Sequence, residues 1–366
     1  METFRLFHLS DLHFSAKEIG WRNEIVSVGS FFSRWTLSKL FSGKIFYPST
    51  FDKDVALAAA EYIYRERNNV DALVITGDLA TTGDDQDLTV ARNFLLGDVP
   101  PSWKGGGFLR SYPILGSGLN TVIMPGNHDR YRTTRRAWLH PGGQGFEVVF
   151  DRDWSLLSEQ PGLKVHGVGG GGRALSDPDS VRFFQFTKGT ERVLIFCADF
   201  TLRAPHDSCY QSNFGYMGQG RVYLDTVGLL KDLTMVARMC TRPKNAVIWL
   251  IHFPPEDTDQ QCATCNNLSL LDSEYLIEAA AECQVDLFLA GHIHKQRQFT
   301  VQCRGDPIRV LCAGTACSVD ENGDGNRFGR LEFDVCEGRV GRLSLQDIAY
   351  NDQDGCFRAT GCMSAI

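Results

Sequence analysis

No cysteine precedes Cys197, no apolar run is long enough to cross a bilayer, and basic residues are outnumbered, 37 against 44 acidic ones. A bilayer helix needs about 20 consecutive apolar residues, so no membrane-spanning helix is expected. Sequence-independent nucleic-acid binding rests on Lys and Arg neutralising phosphates, and a net charge of −7 weighs against a surface built for it. The twelve cysteines lie scattered between Cys197 and Cys362, not crowded into a short chain, so they read as thiols and mostly as small buried hydrophobes. Cys262 and Cys265 have the spacing of half a structural zinc site, but no second pair follows, and a loop with two thiols is the reading. Gly169 to Gly172 is not followed by the Gly-Lys-Ser/Thr that would make a phosphate-cradling loop. Met1 to Leu6 lacks the cationic and apolar segments of a secretory signal, which makes the cytoplasm the expected compartment.

What is present is a core-forming chain of 366 residues, 43% hydrophobic and 22% charged. That size suits one large α/β domain. The expected organisation is a domain over 1–346, with 14–50 inserted as a cap and 347–366 as a polar, loosely held tail. Trp21, Phe31, Phe32, Trp35, Phe41, Phe46 and Tyr47 alternate in the cap with Arg22, Arg34, Lys39 and Lys44. Such a mixture suits an amphipathic helix packed on the body more than a nucleic-acid surface.

The organising feature is a repeated one: apolar runs that end in polar groups. Phe4–Leu9 ends in Ser10-Asp11-Leu12-His13, and Asp71–Thr76 ends in Gly77-Asp78. Leu119–Met124 ends in Pro125-Gly126-Asn127-His128-Asp129, Ala246–Ile251 in His252-Phe253-Pro254-Pro255, and Val285–Ala290 in Gly291-His292-Ile293-His294. Helical patterns over Asp54–Arg67, Leu88–Leu96, Leu224–Met239 and Ser273–Ala281 separate these runs, so βαβ units are expected. Catalytic groups of layered α/β proteins sit at the carboxyl ends of strands. In an extended segment residues two apart point the same way, so Asp11 with His13, and His292 with His294, would each converge on one point. Aspartate and imidazole together suit a divalent metal. Further strands are expected at Phe183–Thr187, Val193–Phe200, Val310–Cys312 and Arg330–Phe333, the last two as an antiparallel edge. Asp199 ends a strand and reads as a cap or a site residue. Arg130, Arg132, Arg135 and Arg136 read as an anion-binding group or a solvated face. His8 reads as a packed core histidine, and His166 and His206 as loop residues.

Taken together and in order, these five blocks resemble the calcineurin-like metallophosphoesterases over roughly residues 4 to 335. The wording Ser-Asp-Leu-His, Gly-Asn-His-Asp and His-Phe-Pro-Pro is most similar to the branch containing class III cyclic-nucleotide phosphodiesterases. The resemblance implies a four-layer αββα sandwich of two mixed sheets. It implies Asp11, His13, Asp78 and His294 on one metal ion and Asp78, Asn127, His252 and His292 on a second, with Asp78 bridging. Mn²⁺, Fe, Zn²⁺ or Co²⁺ suits such a mixed oxygen and nitrogen set. Two such ions would lower the pKa of a shared water to give hydroxide, and would clamp the phosphoryl oxygens. His128, oriented by Asp129, would protonate the leaving oxygen. The implied substrate is a cyclic nucleotide or related small phosphodiester. A nuclease acting on DNA or RNA and a non-catalytic scaffold are the alternatives, the second disfavoured because every ligand position is filled.

Overall fold

The computed structural model describes residues 1–16, 51–98, 112–133, 139–150, 163–168, 181–207, 218–239, 244–256, 270–317 and 325–365. Residues 17–50 of the expected cap, the Cys262/Cys265 pair, Gly169 to Gly172, Arg135 and Arg136 lie outside them. In chain order the elements are β1 (Glu2–Leu9), α1 (Lys53–Glu66), β2 (Ala72–Ile75), α2 (Asp85–Leu95), β3 (Asn120–Ile123), the short β4 (Arg132–Thr133) and β5 (Leu139–His140), β6 (Leu163–Val168), β7 (Val181–Lys188) and β8 (Glu191–Cys197). The chain continues through β9 (Gly220–Arg221), α3 (Leu224–Met239), β10 (Asn245–Leu250), β11 (Leu270–Leu271), α4 (Ser273–Glu282), β12 (Leu287–Ala290), β13 (Arg297–Cys303) and β14 (Asp306–Cys312). It closes with β15 (Arg327–Cys336), β16 (Arg339–Asn351) and β17 (Cys356–Ala365).

Two large mixed sheets result, in the strand orders β17-β16-β15-β1-β2-β3 and β13-β14-β12-β10-β8-β7-β6. Strands β1, β2 and β3 run parallel in the first sheet, and β8, β10, β12 and β14 run parallel in the second. The layering follows from β10, whose six residues are all buried. Ala246, Ile248 and Leu250 share a core with Leu331 and Phe333 of β15, while Val247, Trp249 and Ile251 pack with Leu230 of α3 and Leu276 of α4. A strand covered on both faces shows no polar alternation, which is why it reads as a continuous apolar run. The Trp249 Nε1–H donates to Thr234 Oγ1 of α3 at 3.0 Å, a buried bond of about 1 kcal/mol. On the far side of the first sheet, Tyr62 of α1 packs edge-on against Phe7 and Phe328. Asp52 caps α1 by accepting from Asp54 N and Val55 N. Helix, sheet, sheet, helix is thus the order of layers, with Lys188 of β7 tying the sheets together through Thr3 O and the Asp71 carboxylate.

Three expectations are corrected here. Residues from Asp347 onward are strand, since β16 runs to Asn351 and β17 pairs antiparallel with it. Backbone pairing needs no apolar alternation, and Phe357 alone anchors β17 inward, against Phe328 and Tyr350. Val310–Cys312 and Arg330–Phe333 are not neighbours: β14 joins the second sheet and β15 lies antiparallel to β1 in the first. His166 lies in β6, whereas His206 is in an exposed single turn.

Candidate metal centre

Five parallel strands, β1, β2, β3, β10 and β12, deliver their carboxyl ends to one place. The ligand atoms of Asp11, His13, Asp78 and His294 lie within 4.8 Å of one another, and so do those of Asp78, His252 and His292. Asp78 belongs to both groups. Its Oδ2 is 3.9 Å from His13 Nε2 on one side and 3.3 Å from His252 Nε2 on the other. Its Oδ1 accepts the His128 backbone N–H at 2.8 Å. Asp11 divides its oxygens likewise: Oδ2 accepts the His292 N–H at 3.1 Å, and Oδ1 is 3.2 Å from His294 Nε2. Asn127 joins the second group through Oδ1, 2.9 Å from His252 Nε2.

The convergence does not come from strand pleating. Asp11, His13, Asp78, His292 and His294 all have φ between 51° and 70°, the left-handed region. Each strand ends first, and the ligand-bearing residue then turns out of it. Non-glycine residues held there cost of order 1 kcal/mol or more each, and persist where surrounding bonds over-determine them. Those bonds are present: Leu12 N and His13 N both donate to Asp78 O, Asp11 N donates to Gly77 O, and Thr315 Oγ1 donates to Asp11 O. His292 and His294 consequently face different groups, not one point.

The histidines are set by backbone carbonyls that carry no signature in a sequence. His252 Nδ1 is 2.7 Å from Thr76 O, His292 Nε2 is 2.9 Å from Gly218 O, and His128 Nδ1 is 2.9 Å from Thr81 O. A carbonyl only accepts, so these nitrogens carry protons, which leaves His292 Nδ1 and His128 Nε2 as the ring nitrogens that the carbonyls do not engage. His252 Nε2 faces Asn127 Oδ1 and Asp78 Oδ2, both acceptors, and carries a proton as well, one that a cation would replace. Burial pushes His13 down to about 3, with His128 adding to the effect, and burial together with His252 does the same to His292. Burial would raise Asp11, but His294 outweighs it and holds the carboxyl at about 2. Burial likewise opposes ionisation of Asp78, yet His252 and His128 hold it well below the carboxylate range. His252 resists its own burial and rises to about 9 because of Asp78. Ionised carboxylates and neutral imidazoles are the forms that ligate metals, so Asp11, Asp78, His13 and His292 are already in them, whereas His252 would give up its Nε2 proton to a cation. With metal–ligand bonds near 2.1 Å, ligands on one cation lie about 3–3.5 Å apart. His13 Nε2 and His294 Nε2, 3.1 Å apart, meet that spacing, so these residues fit divalent cations.

Asp129 and Arg130 depart from expectation. The Asp129 carboxylate accepts from Leu79 N, Ala80 N and Gly126 N, at 3.1, 2.9 and 2.9 Å. It therefore fastens the β3 turn to the β2 turn, and the carbonyl of Thr81 is what orients His128. Burial raises the Asp129 carboxyl to about 7, with Asp78 adding to it and the three amides opposing. Arg130 is buried against Glu147 and Asp199 and is no part of an exposed anion site. Asp199 is both a cap, accepting from Thr201 N, and a partner to Arg130. His8 is a buried core residue beside Thr76 Oγ1, held down at about 3 by burial.

A family model described as calcineurin-like phosphoesterase matches residues 4–296. Curated protein sequences give no match. Among solved structures, a purple acid phosphatase from yellow lupin is similar at TM-score 0.51 and 11% identity, over 98% of this chain and 53% of that one. The chain thus spans about half the length of that phosphatase. A putative 5'-nucleotidase from Staphylococcus aureus is similar at TM-score 0.44 and 12% identity, covering 96% and 55% of the two chains. The GAP50 anchor of the Plasmodium inner membrane complex matches at TM-score 0.42 and 13% identity, over 95% and 84%. No helix among the described residues is long and apolar enough to cross a membrane.

Proposed function

We propose, since this chain belongs to the calcineurin-like phosphoesterase family, that it hydrolyses a phosphodiester at two neighbouring divalent cations. Asp11, His13, Asp78 and His294 would hold one cation, and Asp78, Asn127, His252 and His292 the other. The observation that carries this reading is the position of Asp78 Oδ2 between the His13 and His252 nitrogens. The absence of thiolates from both groups fits Mn²⁺, Fe, Zn²⁺ or Co²⁺. When bound, such a pair supplies Lewis acidity that activates a water and polarises phosphoryl oxygens.

The chain's own residues do the rest. Asp78 and Asp11 each keep one oxygen on a backbone amide, which fixes the direction of the other. His128, its Nδ1–H engaged by Thr81 O, acts as the imidazolium: it passes its Nε2 proton to the leaving oxygen and is left with a lone pair on Nε2. Asp129 is a positioning residue that holds the turn carrying Asn127 and His128. The wording of the blocks at Ser10–His13 and His252–Pro255 supports a cyclic nucleotide or related small phosphodiester as substrate.

The test is hydrolysis of bis(p-nitrophenyl) phosphate by metal-stripped protein with Mn²⁺ returned. Metal-stimulated turnover is expected, and its absence would overturn the reading. His128→Ala is expected to keep both metal ions. On a diester with a poor, alkoxide-like leaving group it should lose about 10²-fold in kcat, the usual size of a general-acid contribution. Elemental analysis beside steady-state kinetics checks both.

A further inference from the structure

Arg130 lies two residues beyond His128, in the same single turn, over His128–Arg130. Its side chain points away from the candidate ligands and is 2% exposed. Nε donates to Asp199 Oδ2 at 2.8 Å, just past the end of β8 in the second sheet. The two terminal nitrogens donate to Glu147 Oε2 and Oε1, at 2.5 and 2.6 Å, and one of them also to Gly143 O at 3.1 Å. Glu147, in the helical segment 145–150, is itself buried. Such a two-pronged pair fixes orientation as well as distance, and only a guanidinium can form it.

The turn is therefore fastened on opposite sides. Asp129 binds three amides of the β2 and β3 turns of the first sheet, while Arg130 reaches to the second sheet and to 145–150. Backbone bonds close the assembly: Gly143 N donates to Arg130 O, and Gly83 N to Tyr131 O. Asn127 and His128 project from the remaining side, where groups from both sheets meet. A turn held by Asp129 alone would follow the first sheet only.

We propose that Arg130, with Glu147 and Asp199, is a positioning clamp that sets where His128 stands relative to the leaving oxygen. Its side chain bonds to no candidate ligand residue, while its backbone N–H donates to Asn127 O at 3.1 Å within the turn. This rests on the general-acid role given to His128 above. A clamp of this kind affects proton delivery more than metal binding: of the candidate ligands only Asn127 sits in the turn it holds and only Asp78 bonds to that turn, through the His128 amide, whereas His252 and His292 are set by Thr76 O and Gly218 O.

The experiment is a leaving-group series, methyl aryl phosphodiesters from p-nitrophenyl to phenyl. p-Nitrophenolate leaves without a proton, whereas phenolate benefits from one. Wild type is expected to show a shallow dependence of kcat on leaving-group pKa, and His128→Ala a steep one. Arg130→Lys should keep its metal content and lose about tenfold more on the phenyl ester than on the p-nitrophenyl ester. Asp199→Asn retains an acceptor for Nε and guards against a folding defect; it should steepen the dependence in the same direction by less. A second readout needs no metal: in isotope-labelled apoprotein the His128 Nδ1–H is expected to be protected from exchange in wild type and less so in Arg130→Lys. Equal losses across the series, or unchanged kinetics and unchanged protection, would overturn the clamp. A wild type inactive on all the esters would overturn the phosphodiesterase reading itself, and the exchange readout would still decide the clamp.

Discussion

Asp78→Ala is expected to deprive the protein of both metal ions and to lower kcat/KM by more than about 10³-fold. Outer partners of metal ligands alone are worth about 10–100-fold. Asp78 is more than an outer partner, for it is the residue that the two ligand groups share. The substitution also removes the acceptor of the His128 amide, so the turn carrying the proposed acid loses an anchor. Asp11→Ala is the informative companion. Asp11 belongs to one group only, so the metal content should fall from two ions per chain to about one. Elemental analysis of both variants after dialysis against Mn²⁺ separates the cases. An Asp78→Ala protein that retained one ion at undiminished affinity would mean that the carboxylate bridges nothing.

How far these residues were legible before the structure depends on what kind of information placed them. The strand tips were legible because β2, β10 and β12 are covered on both faces. A wholly apolar run that stops at Gly-Asp, His-Phe-Pro or Gly-His-Ile-His announces its own end. The backbone conformation at those tips was not. Asp11 and His13 read as neighbours on a pleat, yet both are left-handed, a state that depends on bonds to Gly77 and Asp78 sixty-odd positions away. The carbonyls of Thr76, Thr81 and Gly218 have no side-chain signature at all. Arg130 was misread for a similar reason: an arginine followed by Arg132 looks like a solvated face until Glu147 and Asp199 arrive from elsewhere in the chain. Polar β16 and β17 hid for the opposite reason. Their order comes from main-chain pairing to β15, and side-chain pattern records that poorly when one face is solvated.

Gly126→Ala is expected to fold and yet lose at least about 10²-fold in kcat/KM, with weakened metal binding. A Cβ at this position would stand 2.2 Å from Asp78 Oδ1, 2.5 Å from Asp78 N and 2.7 Å from His252 Cε1. None of these atoms can step aside. Asp78 Oδ1 is held by the His128 amide and His252 by Thr76 O. The methyl group must therefore displace the proposed shared ligand or the β3 turn, by a sizeable fraction of an ångström. A misplacement of about 1 Å costs on the order of 10²-fold in rate where geometry is set this tightly. Gly228→Ala is the matching control. It lies within α3, nothing comes within 4 Å of its added Cβ, and the methyl group is expected to stabilise the helix by about 0.5–1 kcal/mol. Thermal melts should then move in opposite directions for the two glycines, while metal content and turnover change only for Gly126. If Gly126→Ala kept full activity, the close packing of the β3 turn on Asp78 and His252 would not be what holds the site together.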